Sequence, residues 1–263
     1  MKTIVLTGAN GGIGFPLTKR LLELGNRVIA IDIVTDRLDE LIKKQSEHLQ
    51  VYNCDVRDEE ALRNCIQEAY QKYQSIDIAV HSACNVIYKE FEKSDNDTFK
   101  TAFLVDFYGA LYLTRSVIEI MKKQKVGQIY FSSSSCGVMG TPFQAAYGAS
   151  KGAIESLAKC LDVEYSDWGI SFHIIQPPIT NTAASAGLDV PQHYKMDPQT
   201  VGYGLAERLI NNKAYMMCYS AIDQFKMKYV YMKNIKQGHK IGKIIKKYRN
   251  KYKNNHPSHQ EKI

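Results

Sequence analysis

Residues 3–14, Thr3-Ile4-Val5-Leu6-Thr7-Gly8-Ala9-Asn10-Gly11-Gly12-Ile13-Gly14, run from a short apolar segment into a glycine-rich turn, and an amphipathic stretch follows from Gly14 to Leu24. Glycines at 8, 12 and 14 permit a tight turn and remove the Cβ atoms that would keep a ligand off the backbone. A turn that follows a strand and opens a helix offers free N–H groups and a favourable dipole to a diphosphate. Standing alone, such a motif is equally a structural turn; the strand before it and the helix after it favour the phosphate reading here. The opening segment has a basic residue and a short apolar run, but no longer apolar core and no small-residue cleavage site, so it reads as a strand rather than a signal peptide.

The same alternation continues outward. Arg27–Ile31, Leu49–Asn53, Ile76–Val80, Gln128–Phe131, Ile170–Ile175 and Tyr215–Tyr219 read as further buried strands. Amphipathic stretches at Arg37–His48, Glu59–Tyr73, Thr101–Lys122, Ala146–Tyr165 and Val201–Asn211 lie between them. Strand and helix repeated in this way predict a parallel sheet covered on both faces, with right-handed crossovers. The expected fold class is therefore α/β, a Rossmann-type doubly wound parallel sheet. Residues 183–200, small, polar and proline-containing, read as a loop or lid with at most short helices. The expected organisation is a single catalytic domain over 1–222 and a basic C-terminal extension over 223–263.

Composition narrows the classes further. The chain has 263 residues, 44% hydrophobic and 23% charged, which is ordinary globular usage and excludes collagen-like, disordered and disulfide-scaffold classes. No stretch reaches the roughly 18 consecutive apolar residues of a membrane-spanning helix. Six cysteines, at 54, 65, 84, 136, 160 and 218, show no C-x-x-C pair and no companion histidine pair, so they read as buried free thiols of a reducing compartment and no metal site is expected. The net charge of +7 is uneven. Residues 224–260 hold eleven Lys or Arg and no Asp or Glu, and 261–263 contribute zero, so residues 1–223 carry −4.

Asp32 ends the second strand, 18 residues after Gly14. A carboxylate there can accept both ribose hydroxyls of an adenosine and repels a 2′-phosphate. Ile33 follows it and Asn10 and Gly11 offer no cation, which favours NAD(H) over NADP(H); Arg37 is the opposing feature, and a helix or turn cap is the alternative role for Asp32. Tyr147-Gly148-Ala149-Ser150-Lys151 puts Tyr147 and Lys151 at i and i+4 on one helix face. An ammonium beside a phenol lowers the phenol pKa, and that phenol can then exchange a proton with a carbonyl or alcohol. Ser134, in the run Ser132–Ser135, stands 13 residues earlier and can hydrogen-bond the same oxygen. Alone, Tyr-x-x-x-Lys is a surface pair; with the glycine turn and the serine run in chain order it reads as catalytic.

These pieces together resemble the short-chain dehydrogenase/reductases over about residues 1–222. The matching residues are TGANGGIG at 7–14, Asp32, Cys54-Asp55-Val56, Ser134 followed by Gly137, YGASK at 147–151, and Pro177 and Thr182 in PPITNT. The resemblance implies Tyr147 as acid/base, Ser134 positioning the reacting oxygen, and Lys151 lowering the tyrosine pKa and holding the nicotinamide ribose. It implies Gly8, Asn10, Gly12, Ile13, Gly14, Asp32, Asp55, Val56, Ala83, Pro177 and Thr182 on the cofactor, with Asp55 and Val56 against adenine. Three departures stand out. His81-Ser82-Ala83-Cys84 replaces the usual Asn-Asn-Ala-Gly; His81 reads either as a cofactor-side contact or as a satisfied structural histidine. Asp106 in DFYG aligns with the family's relay asparagine but is charged and lacks the amide donor, so it is expected to weaken the effect of Lys151 on Tyr147. Pro177-Pro178 replaces Pro-Gly and stiffens the loop.

The implied activity is hydride transfer between NAD(H) and a secondary alcohol or ketone. Val138, Met139, Phe143, Gln144 and the lid are expected to line an apolar pocket for a fatty, sterol-like or 3-oxoacyl substrate. The alternative is an NAD(H)-binding regulator or scaffold with little catalysis. In the tail, Ile241, Ile244, Ile245, Tyr248 and Tyr252 fall on one helical side among lysines, a pattern suited to an anionic membrane surface through residues 224–253; a solvated tail or a helix packed on its own body is the competing reading. No nucleic acid partner is expected. The expected location is the cytoplasm, with peripheral membrane attachment through the tail, and the resemblance implies a homodimer or homotetramer through residues 101–122 and 146–165.

Overall fold

A computed structural model of the chain describes residues 1–45, 47–228, 244, 247 and 248. The amphipathic pattern at 241–252 therefore lies, apart from residues 244 and 248, outside the described residues. Seven parallel strands form one sheet in the order β3-β2-β1-β4-β5-β6-β7. They are β1 (Thr3–Thr7), β2 (Arg27–Asp32), β3 (Leu49–Asn53), β4 (Ile78–His81), β5 (Gly127–Ser132), β6 (Ile170–Ile175) and β7 (Met216–Met217). Every residue of β1 and β4 is buried, as expected where helices cover both faces of a parallel sheet. The helices are α1 (Gly14–Glu23), α2 (Asp36–Gln45), α3 (Glu59–Tyr73), α4 (Asn96–Phe103), α5 (Gly109–Gln124), α6 (Ala145–Tyr165) and α7 (Pro198–Leu209).

The two faces bury separate cores. Leu62, Ile66, Leu113, Val117 and Ile154 bring α3, α5 and α6 onto one face, against Val5, Ile29, Ile129 and Phe172. Leu17, Leu21, Leu38, Val201 and Leu205 bring α1, α2 and α7 onto the other, against Ile4, Leu6, Val28 and Tyr130. This is the Rossmann-type doubly wound sheet that the alternation predicts.

The helix expected over Thr101–Lys122 is the main local difference. It begins at Asn96, where Asp95 caps the Thr98 N–H, and a π-turn at Leu104–Tyr108 interrupts it before α5 begins. The wide turn inserts a residue into the 3.6-residue repeat, so Asp106 points inward with no solvent exposure. Gly109 makes the close approach possible: a Cβ there would stand 2.7 Å from His81 Cε1. The fourth strand starts two residues later than expected because the Ile76 backbone is bound on both sides by the Gln124 side chain rather than by a strand. α7 starts three residues earlier, since Asp197 caps Thr200 and Pro198 fits the first turn. β7 is two residues long rather than five.

Candidate active site

One cleft of about 640 Å³ opens beyond the carboxyl ends of the strands, where the strand order reverses between β1 and β4. At one end lies the glycine turn. Gly8 has φ +70°, and a Cβ on it would come within 2.6 Å of the Ala83 nitrogen. A Cβ on Gly14 would stand 1.9 Å from the Gly8 carbonyl oxygen. The turn therefore closes on itself with room only for glycine, and α1 begins without a side-chain cap, which leaves its N-terminal dipole open toward a ligand. Gly8, Gly12, Ile13 and Gly14 line the cleft, as do Asp32, Asp55, Val56, Ala83, Pro177 and Thr182. Asp32 accepts the Asn10 N–H at 2.8 Å and the Val34 N–H at 3.3 Å, which aims its carboxylate along the cleft floor. Arg57 bonds Asp55 through Nε at 2.8 Å and holds that carboxyl below the usual carboxylate range.

Three residues expected on the cofactor, Asn10, His81 and Lys151, are not among those lining the cleft. The Asn10 side chain donates to Asp36 at 2.7 Å and accepts the Arg37 N–H at 3.2 Å, so it braces the turn against α2 and is not part of the cleft wall. His81 is fully buried between β1 and the π-turn. Its Nε2 lies 3.1 Å from the Val105 carbonyl and its Nδ1 2.9 Å from Thr7 Oγ1. A carbonyl can only accept, so Nε2 carries the hydrogen and Nδ1 accepts from threonine. Burial, and then the Lys151 charge, push this imidazole down to about 3. It is the satisfied structural histidine of the two readings.

Arg37 is likewise committed. Its Nη1 donates to the Asn10 carbonyl at 3.1 Å and its guanidinium stacks 4.0 Å from the Phe15 ring. Cys84 needs no glycine freedom, since among the described residues the only non-glycine ones with positive φ are Gln74, Lys125 and Phe143. The loop after β6 folds over the turn: Gly12 faces the Thr182 methyl so closely that a Cβ would meet it at 2.2 Å. Thr182 and Ser185 cap each other, and Lys195 donates to the Ser185 carbonyl at 3.0 Å.

At the other end β5 delivers Ser134, which accepts the Cys136 N–H at 3.3 Å. α6 delivers Tyr147, whose phenolate form the Ser134 side chain favours. Both residues line the cleft. Lys151, one turn on, is 1% exposed and lies behind the wall, with its Nζ 5.4 Å from the centre of the Tyr147 ring. The ammonium donates to the Ser132 carbonyl at 3.0 Å and stands 3.6 Å from Asp106. The expected lowering of the phenol pKa is absent. Burial, then Cys84, Asp106 and Cys136, hold Tyr147 well above the usual phenol range, while Ser134 works in the other direction.

Met139, Gln144, Val86, Val105, Leu188 and Val190 line the far wall. Val138 and Phe143 do not. Phe143, at φ +66°, turns its ring onto Tyr88 at 5.5 Å. Several partners carry no sequence signal of their own: Asn85 and Ser150, which hold Asp106, and Cys136, whose thiol donates to Gln144 at 3.0 Å.

The glycine cradle, the uncapped helix and the cleft-facing Asp32 fit a dinucleotide. Comparison with known proteins identifies the family. The family model for short chain dehydrogenase matches residues 2–192. A 3-ketodihydrosphingosine reductase of Dictyostelium discoideum is 28% identical over 204 residues, a match covering 69% of this chain and 60% of that protein. An uncharacterized oxidoreductase of Staphylococcus epidermidis is 26% identical over 200 residues, covering 76% of this chain and 87% of that one. A short-chain dehydrogenase structure from Streptomyces avermitilis superposes with TM-score 0.73 at 21% identity, covering 82% of this chain and 86% of that one, and shares the fold. The chain belongs to the short-chain dehydrogenase family, whose members are NAD(P)-dependent oxidoreductases of CH–OH and keto groups.

Proposed function

We propose that this protein interconverts a secondary alcohol and a ketone with NAD(H), on an apolar, lipid-like substrate of the fatty, sterol-like or 3-oxoacyl kind. One observation carries the reading: Ser134 and Tyr147 line the same cleft as the glycine turn and Asp32. Bound nicotinamide supplies the hydride chemistry. Ser134 orients the substrate oxygen, Tyr147 moves a proton at that oxygen, and the folded loop at 182–195 excludes water. Asp32 favours NAD(H), since its carboxylate repels a 2′-phosphate while Arg37 is held on Phe15 and the turn. The apolar far wall, and the printed activity of the Dictyostelium relative, support a long-chain ketone.

Residues 1–222 form the catalytic unit in this reading, with 223–263 as a basic tail. No helix among the described residues is long and apolar enough to cross a membrane. Peripheral attachment to an anionic surface through 224–253 belongs to the proposal; Ile222 and Phe225 are exposed on the helical residues 221–228 that lead into that segment. Pairing of copies through residues 101–122 and 146–165 belongs to it too, with Tyr108 of the π-turn and Val163 of α6 exposed there.

The test is NADH oxidation against long-chain ketones, 3-oxoacyl thioesters and 3-ketodihydrosphingosine. Tyr147→Phe should abolish turnover, by at least about a hundredfold, with NADH affinity within twofold of wild type. Undiminished turnover in that variant overturns the assignment.

A further inference from the structure

Asp106 stands where the family resemblance implies an asparagine, and the described partners bonded or paired to its carboxylate are all donors. Oδ1 accepts the Asn85 N–H at 2.9 Å and lies 3.6 Å from the Lys151 ammonium. Oδ2 accepts the Ser150 hydroxyl at 2.6 Å. Carboxylate and ammonium are both sealed from solvent, so their fields are screened little. The lysine is also fixed on its other side by the Ser132 carbonyl.

We infer that Asp106 is the counterion of Lys151: it anchors the ammonium, cancels its field at Tyr147, and keeps the Tyr147 hydroxyl protonated as a donor for a carbonyl oxygen. This rests on Tyr147 being the acid/base of the reaction proposed above. In that reaction the carbonyl carbon takes a hydride from the reduced nicotinamide dinucleotide and the C=O π pair moves onto oxygen. The Tyr147 proton joins that oxygen. The ketone becomes a secondary alcohol, the dinucleotide is oxidised, and the phenolate regains its proton from water. A phenol that stays protonated into alkaline pH suits the reducing direction; a site run as an oxidant needs the phenolate.

The groups around the phenol agree. Lys151, on the same helix as Tyr147, holds its Nζ 5.4 Å from the centre of the phenol ring. Asp106 from the π-turn, Cys84 after β4 and Cys136 after β5 all disfavour the phenolate, and Ser134 favours it. His81, on β4 behind the pair, is neutral and adds no charge at working pH.

Asp106→Asn is a clean test because an amide fits the site. Its oxygen can keep the Asn85 N–H, and its NH2 can face Ser150 Oγ, whose hydrogen then turns to the Tyr147 carbonyl already 2.8 Å away. The readout is alkaline ultraviolet titration of phenolate, without dinucleotide or substrate, each protein against its own Tyr147→Phe derivative. Wild type and Tyr147→Phe should superpose up to about pH 10. D106N should exceed D106N/Y147F by one phenolate below that pH, an ionisation constant raised at least tenfold. If D106N does not fold, the neutral pair Asp106→Asn/Lys151→Met is titrated instead, and it should superpose on its Tyr147→Phe derivative as wild type does. An extra phenolate below about pH 10 in wild type or in the neutral pair overturns the inference, as does its absence in folded D106N. Because the titration needs no turnover, it can fail while the proposed reaction stands, and the turnover test can fail while the counterion stands.

Discussion

The two ends of the cleft are built on different principles. The dinucleotide end is made of backbone: Gly8 and Gly14 close a turn so tight that a single methyl would collide with a main-chain atom, and Asp32 is aimed by two N–H groups. The reacting end is made of buried charge and hydroxyls gathered from four separate places in the chain, at Asn85, Asp106, Ser134 and the 147–151 turn of α6. Shape is local and tolerates no change at one atom. A charge network is collective, and its parts set one another's protonation.

The largest effect that sharpens this contrast is expected from Gly14→Val. The Cβ would meet the Gly8 carbonyl, a backbone atom that cannot rotate away. NADH affinity, read by fluorescence titration, should fall at least about a hundredfold, roughly 2.7 kcal/mol. Overpacking of this kind also costs about 1–3 kcal/mol of stability, visible in the urea midpoint. Binding within threefold of wild type would mean the turn is not the cradle.

The same contrast explains what was legible in the sequence. The strand–glycine–helix passage at 3–14 and the spacing of Tyr147 and Lys151 are local patterns, and the structure has the turn and the helix face they predict. Asp106 was legible as a departure, but not its partners: nothing in the residues near 106 announces that Asn85 and Ser150 will donate to it, because a π-turn delivers it. The periodicity of 101–122 reads as one helix, and an inserted residue in such a run leaves no mark that apolar spacing can reveal. Asn10, expected on the cofactor, and His81, with its two open readings, are ambiguous in sequence for a related reason. Both sit one layer behind the ligand face, and a polar residue next to a binding turn looks the same in sequence whether it touches ligand or holds the turn.

His81 gives the next prediction. Its folded pKa is about 3 against 6.5 ordinarily, so the unfolded chain binds the proton first. The stability it lends is therefore complete above pH 6.5 and is lost as pH falls from there toward 3. Near pH 5.5 the loss should be about 1.4 kcal/mol. Comparing urea midpoints at pH 7.5 and 5.5, wild type should lose that much more than His81→Gln, whose amide does not titrate. Equal losses would mean that the folded imidazole titrates near its ordinary 6.5 and that burial between β1 and the π-turn does not keep it neutral at pH 5.5.

The smallest effect concerns the loop that joins the two ends. Its closure over Gly12 rests on its own contacts: the mutual cap of Thr182 and Ser185, and the Lys195 bond to the Ser185 carbonyl. One such bond, partly buried and made by a charged donor, contributes on the order of 1 kcal/mol. Lys195→Met keeps most of the side-chain length and removes only the donor. Limited proteolysis within 183–197 should then quicken about fivefold, while NADH affinity stays within twofold, since the cradle and Asp32 are untouched. A loop held chiefly by bound dinucleotide would respond differently: proteolysis of the ligand-free protein would be unchanged by the substitution. That outcome would move the loop from the self-supported class, to which the glycine turn belongs, into the class of parts that only a ligand orders.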